Sequence, residues 1–512
     1  DGAMHEALAI NENNLKVIDR LAMISFISKD YRKAASYYDK HLEIEPNSPT
    51  QAYMYAVTQD RLKESPETLI PYYQRAFSLD KKNAKAGIRL AQLKNQTDDK
   101  KGAVATYQEV ISNSPEAHEA LEQKAMLLLS MREYKEAAEH FEMLHKRRAP
   151  SALSARGLGR SYRLMGENQK AEQNYELALS LLEEPDPEIQ YELALVQESL
   201  GKKQDARDTL TKIIIKNPND LLAQEKLGDL YIENKEPKKA IASYQVVAKQ
   251  KPKDAKVHEK LGLAYQQVGQ NPQAITSLKK AISLDNQRHA SYFAMASLEP
   301  SKSLWYLEKS TQIQPKKLDY QLSYAQELAR QKKHPESLAV FKKAERLAPR
   351  DLVVLMGLAK AYDANRKFKE STEIYTKVVV IDAKHKEGWV GLGNAYHQLQ
   401  SYTNSAKAYE RAHQLDPKDV EVAYFRGRAY HLDKQWDNAI KSYQTTLALD
   451  AKHFGSLYAL GTIYYGQKKF DESKKYLIRA VAVSPRHSPS QEKLGEIYFQ
   501  EQSYQDSFQA YR

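Results

Sequence analysis

Residues 389–396 read WVGLGNAY: Trp389, Val390, Gly391, Leu392, Gly393, Asn394, Ala395, Tyr396. Trp389 and Tyr396 lie seven residues apart, two turns of a helix, and so share one face. A glycine within a helix costs about 1 kcal/mol against alanine, which packing must offset. The Leu-Gly-x-x-Tyr part of the stretch recurs at Leu158-Gly159-Tyr162, Leu227-Gly228-Tyr231, Leu261-Gly262-Tyr265, Leu460-Gly461-Tyr464 and Leu494-Gly495-Tyr498. Tyr231 to Tyr265 is a step of 34 residues, as are Tyr396 to Tyr430, Tyr430 to Tyr464 and Tyr464 to Tyr498.

A second pattern follows each copy: a small residue three or four positions before an aromatic. Ala34/Tyr38, Ala103/Tyr107, Ala137/Phe141, Ala171/Tyr175, Ala240/Tyr244 and Ala439/Tyr443 are examples. Prolines at 46, 115, 218, 252, 315, 349, 417 and 485 close many of the units. These residues match the 34-residue W-x2-L-G-x2-Y…A-x3-F…P signature, and the sequence resembles the tetratricopeptide repeat family over essentially its whole length. Full repeats are placed from 15, 50, 84, 118, 152, 187, 221, 255, 289, 318, 352, 386, 420 and 454, with a partial copy from 488. The resemblance implies an all-α fold, an α-α superhelix of right-handed type.

Each unit then comprises two helices, A and B, with apolar residues at helical spacing. Gly393 lets helix B approach helix A, and Trp389 and Tyr396 fill the space beside that contact as core. Ala406 and Ala412 are small surfaces on helix B, where Tyr409 is the large knob. Pro417 cannot continue helix B and turns the chain into the next unit. One unit cannot bury its own face, so neighbours must stack.

Four segments follow. Residues 1–14 hold a cloning-type leader, Asp1-Gly2-Ala3-Met4, and Glu6–Asn11, which reads as the tail of a truncated helix B; 15–288 form an N-terminal array. The unit 289–317 has 29 residues, five short of the period, and leads through Glu299-Pro300 into a helix near Ser301. Either it kinks the superhelix or the short turn is absorbed without consequence. Residues 318–512 form a C-terminal array that ends inside a helix B, and cut units at both ends mark the chain as a fragment of a longer protein. An extra residue near Glu184-Pro185-Asp186 reads as a loop change.

Composition narrows the chemistry. Hydrophobic residues make up 42% and charged residues 28%, enough apolar content for a core. No apolar run reaches the roughly 18 residues of a membrane span. The absence of cysteine excludes thiolate chemistry and points towards the periplasm of a bacterium. A net charge of +11 comes with acidic residues interspersed almost everywhere, which argues against a nucleic-acid face. Gly157-Leu158-Gly159-Arg160 lies within a helix A and is no phosphate loop. The histidines form no metal-ligand pair, with His140 and His145 five apart. No metal, cofactor or catalysis is expected.

In the resembled family, positions 2, 5, 9 and 12 of helix A line the concave face, where a protein or peptide is held. In the unit from Ala152 these positions include Arg156, Arg160 and Arg163, donors suited to carboxylates or phosphates unless Glu188 and Glu198 neutralise them. In the last three full units they include Asn394, His397, Tyr424, Arg428, His431, Tyr458, Thr462 and Tyr465, a binding-type mixture unless the tyrosines merely pack between helices. Two family subtypes do not fit. Val390 stands where a chaperone-tail clamp needs lysine, and only Asn394 fits an asparagine ladder. The expected function is a non-catalytic scaffold that binds a protein or peptide in the concave groove. The alternatives are a periplasmic polysaccharide-binding export arm of a bacterial secretion system, or a substrate-selecting arm of an enzyme outside this sequence.

Overall fold

Helix follows helix, in pairs, along the whole described chain. The structure, a computed structural model, describes residue 6 and residues 10–511. The leader at 1–4 and residues 7–9 of the expected helix tail at 6–11 lie outside these residues, as does Arg512. Thirty α-helices and one 3-10 turn are present among them, without a strand. They divide into two compact units, one ending at Pro252 and the other beginning at Lys253.

In the N-terminal unit, α1 (Leu15–Ile27) and α2 (Tyr31–Ile44) form the first A/B pair, and α3 (Pro49–Arg61) begins the second. The third and fourth pairs are α5 (Ala84–Gln96) with α6 (Lys100–Asn113) and α7 (His118–Ser130) with α8 (Tyr134–Arg147), the second pair being completed by α4 (Pro66–Leu79). Then come α9 (Ala152–Leu164) with α10 (Asn168–Ser180), α11 (Pro187–Ser199) with α12 (Lys203–Lys216), and α13 (Leu221–Glu233) with α14 (Pro237–Gln250). The helix A starts agree with the sequence reading to within one residue.

The C-terminal unit opens with α15 (Ala255–Gln267) and α16 (Asn271–Leu284), then the short pair α17 (His289–Leu298) and α18 (Ser303–Ile313). It continues through α19 (Leu318–Arg330), α20 (His334–Leu347), α21 (Leu352–Ala364), α22 (Phe368–Ile381), α23 (Lys386–Gln398) and α24 (Tyr402–Leu415). It ends with α25 (Val420–Leu432), α26 (Trp436–Leu449), α27 (Phe454–Gly466), α28 (Phe470–Val483), α29 (Ser488–Gln500) and α30 (Tyr504–Tyr511).

Helix starts have a local cause. Asn14, Asn83, Asp220, Asp351 and Asp419 each accept from a backbone N–H in the first turn of a helix A. His385, His453 and His487 do the same through a ring nitrogen. Such caps satisfy donors that the helix cannot. Helix A ends are equally regular. Every A–B turn but one carries a residue with positive φ, for example Lys29, Lys434 or Gly201. The next residue's N–H reaches back five residues, as from Gln435 to the Tyr430 carbonyl, closing a Schellman-type end.

The exception is the short pair. Between α17 and α18 the chain makes a 3-10 turn over Pro300–Lys302, so α18 begins at Ser303 rather than near Ser301. Glu299 holds this turn, accepting from Lys279 and from the Tyr306 hydroxyl, each at 2.6 Å.

The double glycine of the opening stretch is explained by two rings. A Cβ at Gly393 would lie 2.9 Å from the Tyr409 ring of its own unit's helix B. One at Gly391 would lie 2.4 Å from Tyr375 of the preceding helix B. Helix α23 is therefore gripped from both sides by buried tyrosines, and the Tyr409 hydroxyl donates to Asn394 Oδ1 at 2.5 Å. Ala406 and Ala412 are buried as expected. Trp389 and Tyr396 pack against the core as expected but are only half-buried, since both also line a cleft between the flanking helices.

Candidate functional site

The three arginines of α9 do share a stripe, and the structure shows what they face. Arg156 Nη2 donates to Glu188 at 2.7 Å and to Glu192 at 3.0 Å, and Arg160 Nε donates to Glu192 at 2.7 Å. Both acids are on α11. Burial pushes the Glu192 carboxyl up, but the two guanidiniums outweigh it and hold the group below its usual range. Glu198, expected as a neutraliser, is instead paired with Lys226. The reason is geometric: Glu188 and Glu192 lie one turn apart beside the arginines, and Glu198 is farther along the helix. Arg163 sits against Tyr175 with its Nε buried. This cluster ties neighbouring helices A together and leaves little charge for a ligand.

In the C-terminal unit the expected residues separate into two groups. Tyr424 packs on the cap histidine of the next unit, His453, at 4.6 Å between centroids, and also against Phe425 and Tyr443. Tyr458 repeats this with His487 at 4.7 Å and with Phe454. Tyr465 donates to Glu496 at 2.7 Å, with the Lys493 ammonium over its ring. His397 lies edge-on to Tyr402, and His431 to Trp436 and Tyr443. Burial holds both imidazoles below the usual histidine range. Thr462 donates back to the Ala459 carbonyl. These side chains are fastened to the fold.

Asn394 and Arg428 behave differently. Both are exposed, at position 9 of successive helices A. Asn394 uses its carbonyl oxygen for Tyr409, which leaves its amide hydrogens pointing outward. No carboxylate pairs with Arg428 among the described residues. Position 9 of the preceding unit is Lys360, also exposed and without an acidic partner among them.

Beside Lys360 is a hollow that sequence reading missed. It has a volume of about 620 Å³, with Phe341, Leu352, Val353, Met356 and Ala361 among its lining together with Lys360 and Glu387. Val353 is 59% exposed. Its signal was present: the run Leu352-Val353-Val354-Leu355-Met356 places an apolar residue at position 2, where the neighbouring unit has Glu387. The volume falls within the roughly 300–1,000 Å³ of ligand pockets.

Among the described residues no group of histidines and carboxylates is arranged to hold a metal. No helix there is long and apolar enough to cross a membrane.

Comparison with known proteins accords with the repeat architecture. Profiles described as TPR repeat or tetratricopeptide repeat match residues 88–152, 188–220, 228–269, 255–288, 393–434 and 458–512, together half of the chain. The general transcriptional corepressor trfA of Dictyostelium discoideum is 28% identical over 113 residues, 22% of this chain and 8% of that protein. The chain thus spans a small part of that relative's length. Among solved structures, Naa15/Naa10 bound to HypK-THB is similar over 96% of this chain and 97% of its own, at 14% identity and a TM-score of 0.37. YrrB, a TPR protein with an unusual peptide-binding site, matches over 38% of this chain and 97% of its own, at 17% identity and a TM-score of 0.33. MamA matches over 34% and 94%, at 21% identity and a TM-score of 0.32. With the 34-residue phase, the paired helices and these profile matches in agreement, the chain belongs to the tetratricopeptide repeat family.

Proposed function

We propose that the chain is a non-catalytic scaffold that holds a segment of a partner protein along the helix-A face of its C-terminal unit. The observation that carries this reading is the apolar hollow under α21 beside the exposed ammonium of Lys360. Asn394 and Arg428 continue that row of hydrogen-bond donors in the next two helices A. A hollow takes an apolar side chain, and a row of donors takes carbonyls and carboxylates spaced along a chain. A sugar would need open aromatic faces, and Tyr424 and Tyr458 spend theirs on neighbouring rings. That favours a protein ligand over a polysaccharide. A substrate-selecting arm of a larger enzyme would use the same grip.

The test places a photo-crosslinking amino acid at Met356 in cells of the source organism. A defined partner should be captured there, and Lys360→Glu/Arg428→Glu should reduce its capture at least about tenfold, the loss of one good charged contact. Capture that is indifferent to the double charge reversal would refute the assignment.

A further inference from the structure

The opening stretch has a second consequence, on the other side of α23. Between the helices B α22 and α24 runs a cleft of about 530 Å³, lined by Trp389, Leu392 and Tyr396 of α23 and by Tyr430. Its α22 wall is apolar at Val379 and Val380, and Val380 is 77% exposed. The indole is fixed by its N–H donating to the Ala383 carbonyl at 2.9 Å, so the ring is held and its polar atom is satisfied.

The opposite wall is charged. Lys407 and Arg411 are one turn apart on α24, both lining the cleft and both exposed. Neither has a carboxylate partner among the described residues; Arg411 donates only to the Gln414 amide oxygen, at 3.0 Å. Glu410 also lines the cleft but is taken by Arg426 of the next unit at 3.1 Å. The nearby cation Lys377 is likewise satisfied, by Glu345. An apolar lining therefore lies beside two uncompensated positive charges.

We infer that this cleft is a second docking surface, on the helix-B side, for an acidic protein segment that carries one bulky apolar side chain. Charge complementarity selects the acid, and the exposed valine and half-buried indole select the anchor. A nucleobase fits worse. The Trp389 N–H is already used, which leaves the indole to offer a base a stacking face and no donor. The cleft and the hollow under α21 share no lining residue, so occupation of one leaves the other open.

Trp389 is its own reporter. In a Trp305→Phe/Trp436→Phe variant it is the only tryptophan of the chain. The probe is a synthetic nonapeptide of glutamates with one central phenylalanine. It should give a saturable blue shift of Trp389 emission, at least about tenfold weaker in affinity with serine at the centre, since burying the ring is worth ~1.5–3 kcal/mol. The shift should be lost when lysines replace the glutamates, and lost in a Lys407→Glu/Arg411→Glu background whose circular dichroism matches that of the parent. It should persist in Lys360→Glu/Arg428→Glu. The inference is overturned by the absence of a saturable shift, or by one that survives the serine peptide or the reversal at 407 and 411. A shift abolished by the reversal at 360 and 428 would assign the peptide to the helix-A face and overturn it as well.

Discussion

At Lys434 the backbone takes φ +62°, a conformation that costs an ordinary side chain about 1 kcal/mol and glycine almost nothing. Lys63, Arg132, Lys235, Lys332, Arg366 and Lys468 are in the same position at the end of their helices A. Lys434→Gly should therefore raise the stability of the C-terminal unit by about 0.5–1 kcal/mol in chemical denaturation, part of the gain being lost to the freer unfolded chain. Gly201→Ala, at φ +77° in open space, should lower that of the N-terminal unit by about 1 kcal/mol. The opposite sign for either substitution would mean that the turn can relax. At this scale the sequence was partly legible. Glycines fill this conformation at 166, 201 and 269, whereas a lysine in it carries no mark in the sequence. Gly393 showed that something packs closely there. Which ring meets which glycine depends on the preceding unit's helix B, and Gly391 was not singled out.

Helices were more legible than sites because their signals are local. An aspartate or asparagine ahead of an apolar periodic run sets a helix start within one or two residues, as at Asp220 and Asp351. Whether a charged residue is spent or available depends instead on the next helix. Arg156 and Arg428 look alike in sequence, yet one is clasped by two glutamates and the other is not. Glu192→Gln tests the clasp. Its carboxylate is 11% exposed and faces Arg156 and Arg160, which are 16% and 37% exposed, so removing its charge strands two partly buried cations. A loss of about 1–3 kcal/mol is expected, less than for a fully buried pair because water reaches Arg160. Denaturant unfolding of the variant at low and high salt checks this: the deficit should shrink at high salt. An unchanged midpoint would make the clasp ornamental.

Over the whole molecule, acid should act through half-buried imidazoles. Burial holds His140, His145, His289, His397, His413 and His431 below the usual histidine range. A group whose pKa is depressed on folding is neutral in the native state while the unfolded chain takes up a proton. The stability it preserves is complete above the unfolded histidine value of about 6.5 and is lost as pH falls below it. Thermal melts should thus be flat from about pH 8 to 7 and drop towards pH 5. His397→Gln/His431→Gln should make the drop shallower; a drop equally steep in that variant would locate the acid sensitivity elsewhere.

A string of near-interchangeable parts offers many wrong ways of joining. A helix that docks one period out of step meets almost the same apolar face, and little in the units themselves would report the error. The short pair is unlike every other, with helices of 10 and 11 residues and a 3-10 turn where the rest carry a left-handed residue. Any alignment displaced by one period sets it against a partner of the wrong length. It gives the array a fixed origin, from which every other unit has an address.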